Sequence, residues 1–170
     1  MGLPEAAASV RFSVNACDSG RRALAAAAPI LCDVEMVRQG LTRRLLKSES
    51  HCYLNHPPVA PLARRQGETR SMAAVQFWRG KLGGGIALIG NAPTALFRLL
   101  DILQQGAEKP ALIIAVPVGF VGAAESKQRL WDMHRALGVE CITLLGRLGG
   151  SAVAAAICNA LLRCNHNEWY

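Results

Sequence analysis

The feature that most constrains the fold is a series of short apolar runs without polar alternation. Continuous apolar runs are typical of strands that are buried on both faces, as in a parallel sheet covered by helices. Turn or capping residues follow most of them. The five runs are Pro29–Cys32, Cys52–Leu54, Ile86–Ile89, Ala111–Val116 and Cys141–Leu145.

Helix-like stretches separate these runs. The spacing i, i+3, i+4, i+7 of an amphipathic helix is formed by Leu96, Leu99, Leu100 and Leu103. Strands that alternate with helices indicate an α/β protein. We therefore predict one domain over residues 1–170, built as three layers: a mostly parallel sheet of about five strands with helices on both faces. The segment up to Val10 is expected to be peripheral.

The composition excludes several classes of protein. Hydrophobic residues make up 51% and charged residues 18%, which excludes a disordered chain. The longest apolar stretch, Ala111–Ala124, is interrupted by Pro117 and is too short to span a membrane. The six cysteines match no metal-binding spacing, and no signal peptide precedes them. We therefore expect free thiols in the cytoplasm.

The net charge of +7 comes mostly from arginine. The arginines are scattered, with no run longer than two, whereas nucleic-acid-binding proteins usually concentrate their charge. The arginine guanidinium instead matches carboxylates and phosphates bidentately. The charge pattern therefore favours a carboxylate-rich or phosphorylated small ligand over nucleic acid or a membrane.

Three glycine-containing loops follow predicted strands, at Gly90–Thr94, Pro117–Lys127 and Gly146–Ser151. Each leads into a helix N-terminus, whose free N–H groups attract anions. One such loop alone is more simply explained as a turn, but three together favour a binding crevice that includes Arg147 and Lys127. The absence of GxGxxG and of GxxxxGK[ST] argues against a nucleotide-binding enzyme.

Together these segments resemble the precorrin-8X methylmutases and their cobalt-precorrin-8 counterparts. The resemblance extends from about Arg11 to Leu162. The segments that carry it are Pro29–Asp33, Glu35–Val37, Gly40–Arg43, Thr69–Ser71, Gly90–Leu96, Val118–Lys127 and Gly146–Ser151.

The resemblance implies an isomerase of cobalamin biosynthesis that moves a methyl group between neighbouring carbons of a ring-contracted tetrapyrrole. Precorrin-8X would become hydrogenobyrinate, or the cobalt-containing equivalent would react, without a cofactor or catalytic metal. It also implies a homodimer with its active site near the subunit interface. The expected substrate-binding residues are Thr42, Arg43, Arg70, Ser71, Asn91, Thr94, Gly119, Gly122, Ser126, Arg147, Gly149 and Ser151.

One departure concerns the catalytic histidine, which the family carries in an N-terminal region that this sequence does not match. None of His51, His56, His134 and His166 falls at its place. The catalytic residue is therefore left unassigned. The sequence favours a methylmutase, with a non-catalytic tetrapyrrole-binding protein as the alternative. On its own, this chain is expected to bind the tetrapyrrole and to convert it slowly, if at all.

Overall fold

A computed structural model describes residues 3–168 and contains a six-stranded sheet in the order β1-β6-β5-β4-β2-β3. Strands β2 to β6 are parallel to one another, and only β1 is antiparallel. The strands are β1 Val10–Phe12, β2 Ile30–Cys32, β3 Ser50–Cys52, β4 Ile86–Ile89, β5 Leu112–Ala115 and β6 Cys141–Leu144.

Four of the five apolar runs became strands, and of the run Cys52–Leu54 only Cys52 lies in a strand, at the end of β3. The predicted parallel α/β sheet is confirmed. The sixth strand was missed. Val10 of β1 pairs with Leu144 of β6 at one edge of the sheet, where Phe12 remains 54% exposed. A three-residue edge strand containing Arg11 is not a continuous apolar run, because only one side of the strand is paired and its side chains partly face solvent.

Helices cover both faces of the sheet. Helices α1, α2 and α7 pack against Ile30, Ile86 and Ile114, whereas α4, α5 and α6 pack against Leu31, Ala87 and others of the opposite face. Helix α3 packs on the outside of α4. The helices are α1 Ala16–Ala25, α2 Glu35–Gln39, α3 Val59–Gln66, α4 Arg70–Gln76, α5 Pro93–Gln104, α6 Ala123–Leu137 and α7 Ser151–Asn165, with short 3-10 helices at Pro4–Ser9 and Arg43–Leu45.

The parallel strands place four helix N-termini at one edge of the sheet. Helix α2 follows β2, α5 follows β4, α6 follows β5 and α7 follows β6. The connecting loops must therefore lie at the carboxyl ends of the strands, which is the edge where open α/β sheets bind ligands. We call it the carboxyl edge.

The fold buries three of the six cysteines, and all six are free thiols. Burial raises the pKa of Cys141 and of Cys158 to about 12, so both thiols are neutral and act as small apolar side chains. Within residues 3–168, no helix combines the length and the apolar character that a membrane span requires.

Candidate functional site

The three glycine loops come together at the carboxyl edge. Gly122, before α6, lies against Pro93 of α5, and a Cβ atom on Gly122 would be 3.4 Å from the Pro93 Cβ atom. The N–H group of Gly119 donates to the carbonyl of Arg147 at 3.4 Å. The loops after β4, β5 and β6 are therefore in contact at one edge, as the sequence predicted, and we call the surface that they border the crevice.

The first of these loops is held by Asp33, which is 2% exposed and directly follows β2. Its Oδ1 atom accepts from the N–H of Gly90 at 3.0 Å, and Oδ2 accepts from Asn91 at 2.8 Å and Ala92 at 2.9 Å. Burial raises the pKa of Asp33, and the three backbone N–H groups oppose that rise. The carboxylate fixes the loop that begins α5.

The loop after β6 crosses closely over the end of β5. The N–H of Gly150 donates to the carbonyl of Val116 at 2.9 Å. A Cβ atom on Gly149 would lie 2.1 Å from the Val116 carbonyl oxygen, so no other residue fits there without movement of the backbone. At Gly90, a Cβ atom would lie 2.7 Å from the Cα atom of Ser151. These glycines allow backbone to approach backbone.

The helices that start at the crevice have no side-chain caps. Their N-cap residues are Ala92 for α5, Gly122 for α6 and Gly150 for α7, and none accepts a side-chain cap hydrogen bond. The first N–H groups of a helix have no partner within the helix. Together with the helix dipoles, they make this edge attractive to anions.

Helix α4 extends the site on the side of β3. Thr69 caps it, accepting from the N–H of Met72 at 3.2 Å, and its hydroxyl donates to Thr94 at 3.0 Å. The exposed Arg70 side chain donates to the carbonyl of Leu54 at 3.1 Å and to Asn55 Oδ1 at 2.6 Å. Predicted residues Arg70, Ser71, Asn91 and Thr94 thus lie at or just before the starts of α4 and α5, which the Thr69–Thr94 hydrogen bond joins.

Three predicted site residues make their hydrogen bonds away from the glycine loops. Ser126 is fully buried, and its hydroxyl donates to the Ala123 carbonyl within α6, so it does not face the crevice. The N–H of Thr42 donates to Asn159 of α7, and Arg43 donates to Gln39. Among residues 3–168, no hydrogen bond joins Thr42 or Arg43 to the glycine loops.

Arg43 instead borders a separate groove of about 630 Å³ beside the beginning of β3. This groove also contains Arg38 and His51. The sequence did not indicate that Arg43 borders a groove separate from the glycine loops. The position of the α2–β3 connection depends on how Gly40 packs against Ala155 of α7, which is a contact between distant parts of the chain.

Two buried residues, Asp33 and Lys127, hold the loops of the carboxyl edge in place, and the sequence did not indicate this role. Asp33 was assigned no role in the site from the sequence, although an aspartate directly after a buried strand signals a position at the carboxyl edge. Lys127 was expected to line the crevice, yet its side chain is fully buried. Its Nζ atom donates to the Leu148 carbonyl at 2.6 Å and so joins α6 to the loop after β6.

The crevice is bordered by apolar as well as polar groups. Val118 and Leu148 are 45% and 42% exposed, and Phe120 and Val121 are 86% and 89% exposed. Apolar side chains beside backbone N–H groups and arginines suit a ligand with a flat apolar body and anionic substituents.

Of the four histidines, only His56 lies in a loop that follows the carboxyl end of a strand. Its ring packs edge-on against Tyr53 at 5.8 Å and Phe77 at 5.1 Å between ring centroids. His134 is buried beside Trp131 near the end of α6, and His166 follows α7. Within residues 3–168, no group of three or more His, Cys, Asp or Glu side chains could hold a metal ion.

The fold is that of an α/β protein, a class in which ligands bind at the carboxyl ends of parallel strands. Comparison with known proteins is more specific. Residues 1–164 match the model of the CbiC family, described as precorrin-8X methylmutase. The chain belongs to the precorrin-8X methylmutase family.

Individual relatives agree with that assignment. The chain is 51% identical over 162 residues to the precorrin-8X methylmutase of Pseudomonas aeruginosa, covering 94% of this chain and 77% of that protein. It is 38% identical to the cobalt-precorrin-8 methylmutase of Methanocaldococcus jannaschii, covering 97% and 75%. The crystal structure of precorrin-8X methylmutase from Thermus thermophilus superposes with a TM-score of 0.83 at 38% identity, covering 96% of this chain and 79% of that one.

Proposed function

We propose that this chain is an isomerase of cobalamin biosynthesis that converts precorrin-8X to hydrogenobyrinate, or the cobalt-containing equivalent, by intramolecular methyl migration. The observation that carries the proposal is the convergence of three uncapped helix N-termini at one edge, in a chain that belongs to the methylmutase family. Such an edge suits a substrate that carries several carboxylates.

The edge offers two kinds of contact to a tetrapyrrole. Arg70 and Arg147 are exposed and can pair with carboxylates, and the first backbone N–H groups of α6 and α7 can donate to further ones. Val118, Phe120 and Leu148 offer apolar surface to the macrocycle. We assign substrate contact to Arg70, Ser71, Asn91, Thr94, Gly119, Gly122, Arg147, Gly149 and Ser151.

We also propose that the chain forms a homodimer in the cytoplasm. Phe120 and Val121 are almost fully exposed beside the crevice, and neighbouring apolar side chains of this kind are typical of surfaces that another chain covers. Six free thiols suit a reducing compartment.

The experiment that tests the function has two readouts on the purified chain. Titration with hydrogenobyrinic acid measures binding, and the absorbance change from precorrin-8X to hydrogenobyrinic acid measures conversion. We expect saturable binding, together with conversion above the rate in a sample without protein. Arg79→Ala serves as a control, because Arg79 is exposed and donates to Gln105 away from the edge.

The possible outcomes separate the alternatives. Binding without conversion would support a tetrapyrrole-binding protein without turnover. Absence of both would contradict the proposal. Conversion at full speed would make His56, at the carboxyl edge, the first histidine to substitute, because a positioned acid contributes typically about 10²–10⁴-fold to such a reaction.

A further inference from the structure

Lys127 is a buried cation without a carboxylate partner. Its side chain is fully buried, and its Nζ atom has one hydrogen bond, to the Leu148 carbonyl at 2.6 Å. Within residues 3–168, no acidic side chain comes within ion-pair distance of it. A buried charge that lacks a partner is strongly disfavoured in a folded protein. The chain nevertheless keeps the charge directly behind the crevice.

The charged groups on the surrounding elements do not compensate Lys127. On α5, Asp101 pairs with Arg129 of α6 at 2.9 Å, and Arg98 pairs with Glu68. Strand β5 has no ionisable side chain. The remaining ionisable groups on α6 near Lys127, on β6 and on the loop after β6 are the exposed Glu125, the neutral thiol of Cys141 and the exposed Arg147.

The position of Lys127 suggests what compensates it. Leu148, whose carbonyl it holds, is 42% exposed and belongs to the loop that borders the crevice. The ammonium is thus separated from the crevice by one layer of loop. An anion bound on the outer side of that loop would still be attracted by the positive charge, because only one layer of loop separates the two.

We propose that Lys127 is a positioning residue for the carboxylates of the bound tetrapyrrole. Its charge attracts the anionic ligand from behind the loop, and its hydrogen bond holds the Leu148 carbonyl inward. This inference rests on the proposed function, since it requires that the crevice bind a polycarboxylate. The carboxylates of the ligand then provide the negative charge near Lys127 that no side chain of the described residues provides.

The pH dependence of binding provides the test. Burial lowers the pKa of Lys127 to about 8, so the ammonium loses its proton as the pH rises from 7 to 9.5. The carboxylates of the ligand remain ionised over this range. Affinity of the unaltered chain should therefore fall as the pH rises, by about tenfold or more.

The experiment titrates hydrogenobyrinic acid into the unaltered chain, Lys127→Met and Lys109→Met at several values between pH 7 and 9.5. Methionine fills a similar volume without charge. We expect Lys127→Met to bind about tenfold more weakly at pH 7, with little dependence on pH, and its curve should meet that of the unaltered chain near pH 9.5. Lys109 is exposed just before β5, at the opposite edge, so its variant should follow the unaltered chain.

Other results would overturn the proposal in recognisable ways. A constant offset between the unaltered chain and Lys127→Met at every pH would show that Lys127 only supports the loop. Identical curves would remove it from the site. If the unaltered chain fails to bind at any pH, the proposed function itself fails.

Discussion

At the scale of single residues, Asp33 connects two strands that are neighbours in the sheet. It directly follows β2, yet its carboxylate accepts hydrogen bonds from the three N–H groups that follow β4. Hydrogen bonds to a carboxylate are stronger than those to a neutral acceptor. The position of Asn91 in the candidate site therefore depends on a residue almost sixty positions earlier.

Substitution of Asp33 by Asn tests this connection. An amide has one acceptor oxygen instead of two, so at least one buried N–H group loses its partner. We expect the free energy of unfolding to fall by about 1–3 kcal/mol, measured by urea denaturation. Asp132→Asn on the exposed side of α6 should change it by less than about 0.5 kcal/mol. Equal effects would show that Asp33 does not hold the loop.

Arg70 has a geometry that suits a carboxylate. Its guanidinium is exposed, and one nitrogen is already oriented by Leu54 and Asn55. Arg70→Ala should weaken hydrogenobyrinic acid binding by about tenfold or more, because a hydrogen bond to a charged group contributes roughly 1.5–3 kcal/mol. An unchanged titration curve, with Arg79→Ala measured beside it, would remove Arg70 from the site.

Lys127 also predicts how stability depends on pH. Its pKa is about 8 in the folded chain and near 10.5 when exposed, so between these values the unfolded chain binds more protons. The free energy of unfolding therefore rises with pH across this window, by on the order of 3 kcal/mol. Lys127→Met should be the more stable protein at pH 7, and the difference should shrink by pH 10. Urea denaturation at both pH values measures it, and a variant that is less stable at pH 7 would contradict the prediction.

At the scale of elements, the loop after β6 is set by its approach to β5. Gly146 and Gly149 have φ values of +83° and +157°, but only Gly149 lacks space for a Cβ atom. Both alanine variants should be destabilised by backbone strain. Gly149→Ala should lose at least about 2 kcal/mol more in thermal or urea denaturation, because the Val116 carbonyl must move. Similar losses would mean that the loop shifts freely.

Helices and strands could be predicted from the sequence where burial requires an apolar pattern. The four central strands, β2, β4, β5 and β6, are apolar because both faces are covered, and their runs were visible in the sequence. The edge strand β3, Ser50–Cys52, is only half-buried, and the predicted run overlaps it at Cys52 alone. The edge strand β1 was not visible, because Arg11 and Phe12 need not be buried there. Loop positions followed from strand direction alone, whereas the orientation of Ser126 and Lys127 depended on how α6 rotates against the sheet.

At the scale of the whole molecule, the carboxyl edge carries an apolar surface formed by Phe120 and Val121, which are 86% and 89% exposed. Phe120 and Val121 should lie within the proposed dimer interface. We expect the unaltered chain to sediment as a dimer, and Phe120→Ser with Val121→Ser to shift it toward the monomer. Val14→Ser, 90% exposed at the opposite edge, should leave the dimer intact. A monomeric unaltered chain in analytical ultracentrifugation would contradict the proposal.

The histidine implied by the resemblance could not be located from the sequence, and the structure assigns its role to none of the four histidines present. Arg70 donates to Leu54 and Asn55, and His56 is the next residue along the chain. The fold therefore places His56 near Arg70 at the carboxyl edge. The binding groups were easier to anticipate than the proton donor, because glycines and helix starts leave a sequence pattern and a single histidine does not.

The uncapped helix starts have a consequence for protein engineering. Their anion-binding groups belong to the main chain, so a library of side-chain replacements would leave these donors in place. Gly149 would reject nearly every member of such a library, whereas Val118 and Leu148 border the same crevice and tolerate exposure. Selection for altered macrocycles should therefore randomise the apolar rim and leave the glycines untouched.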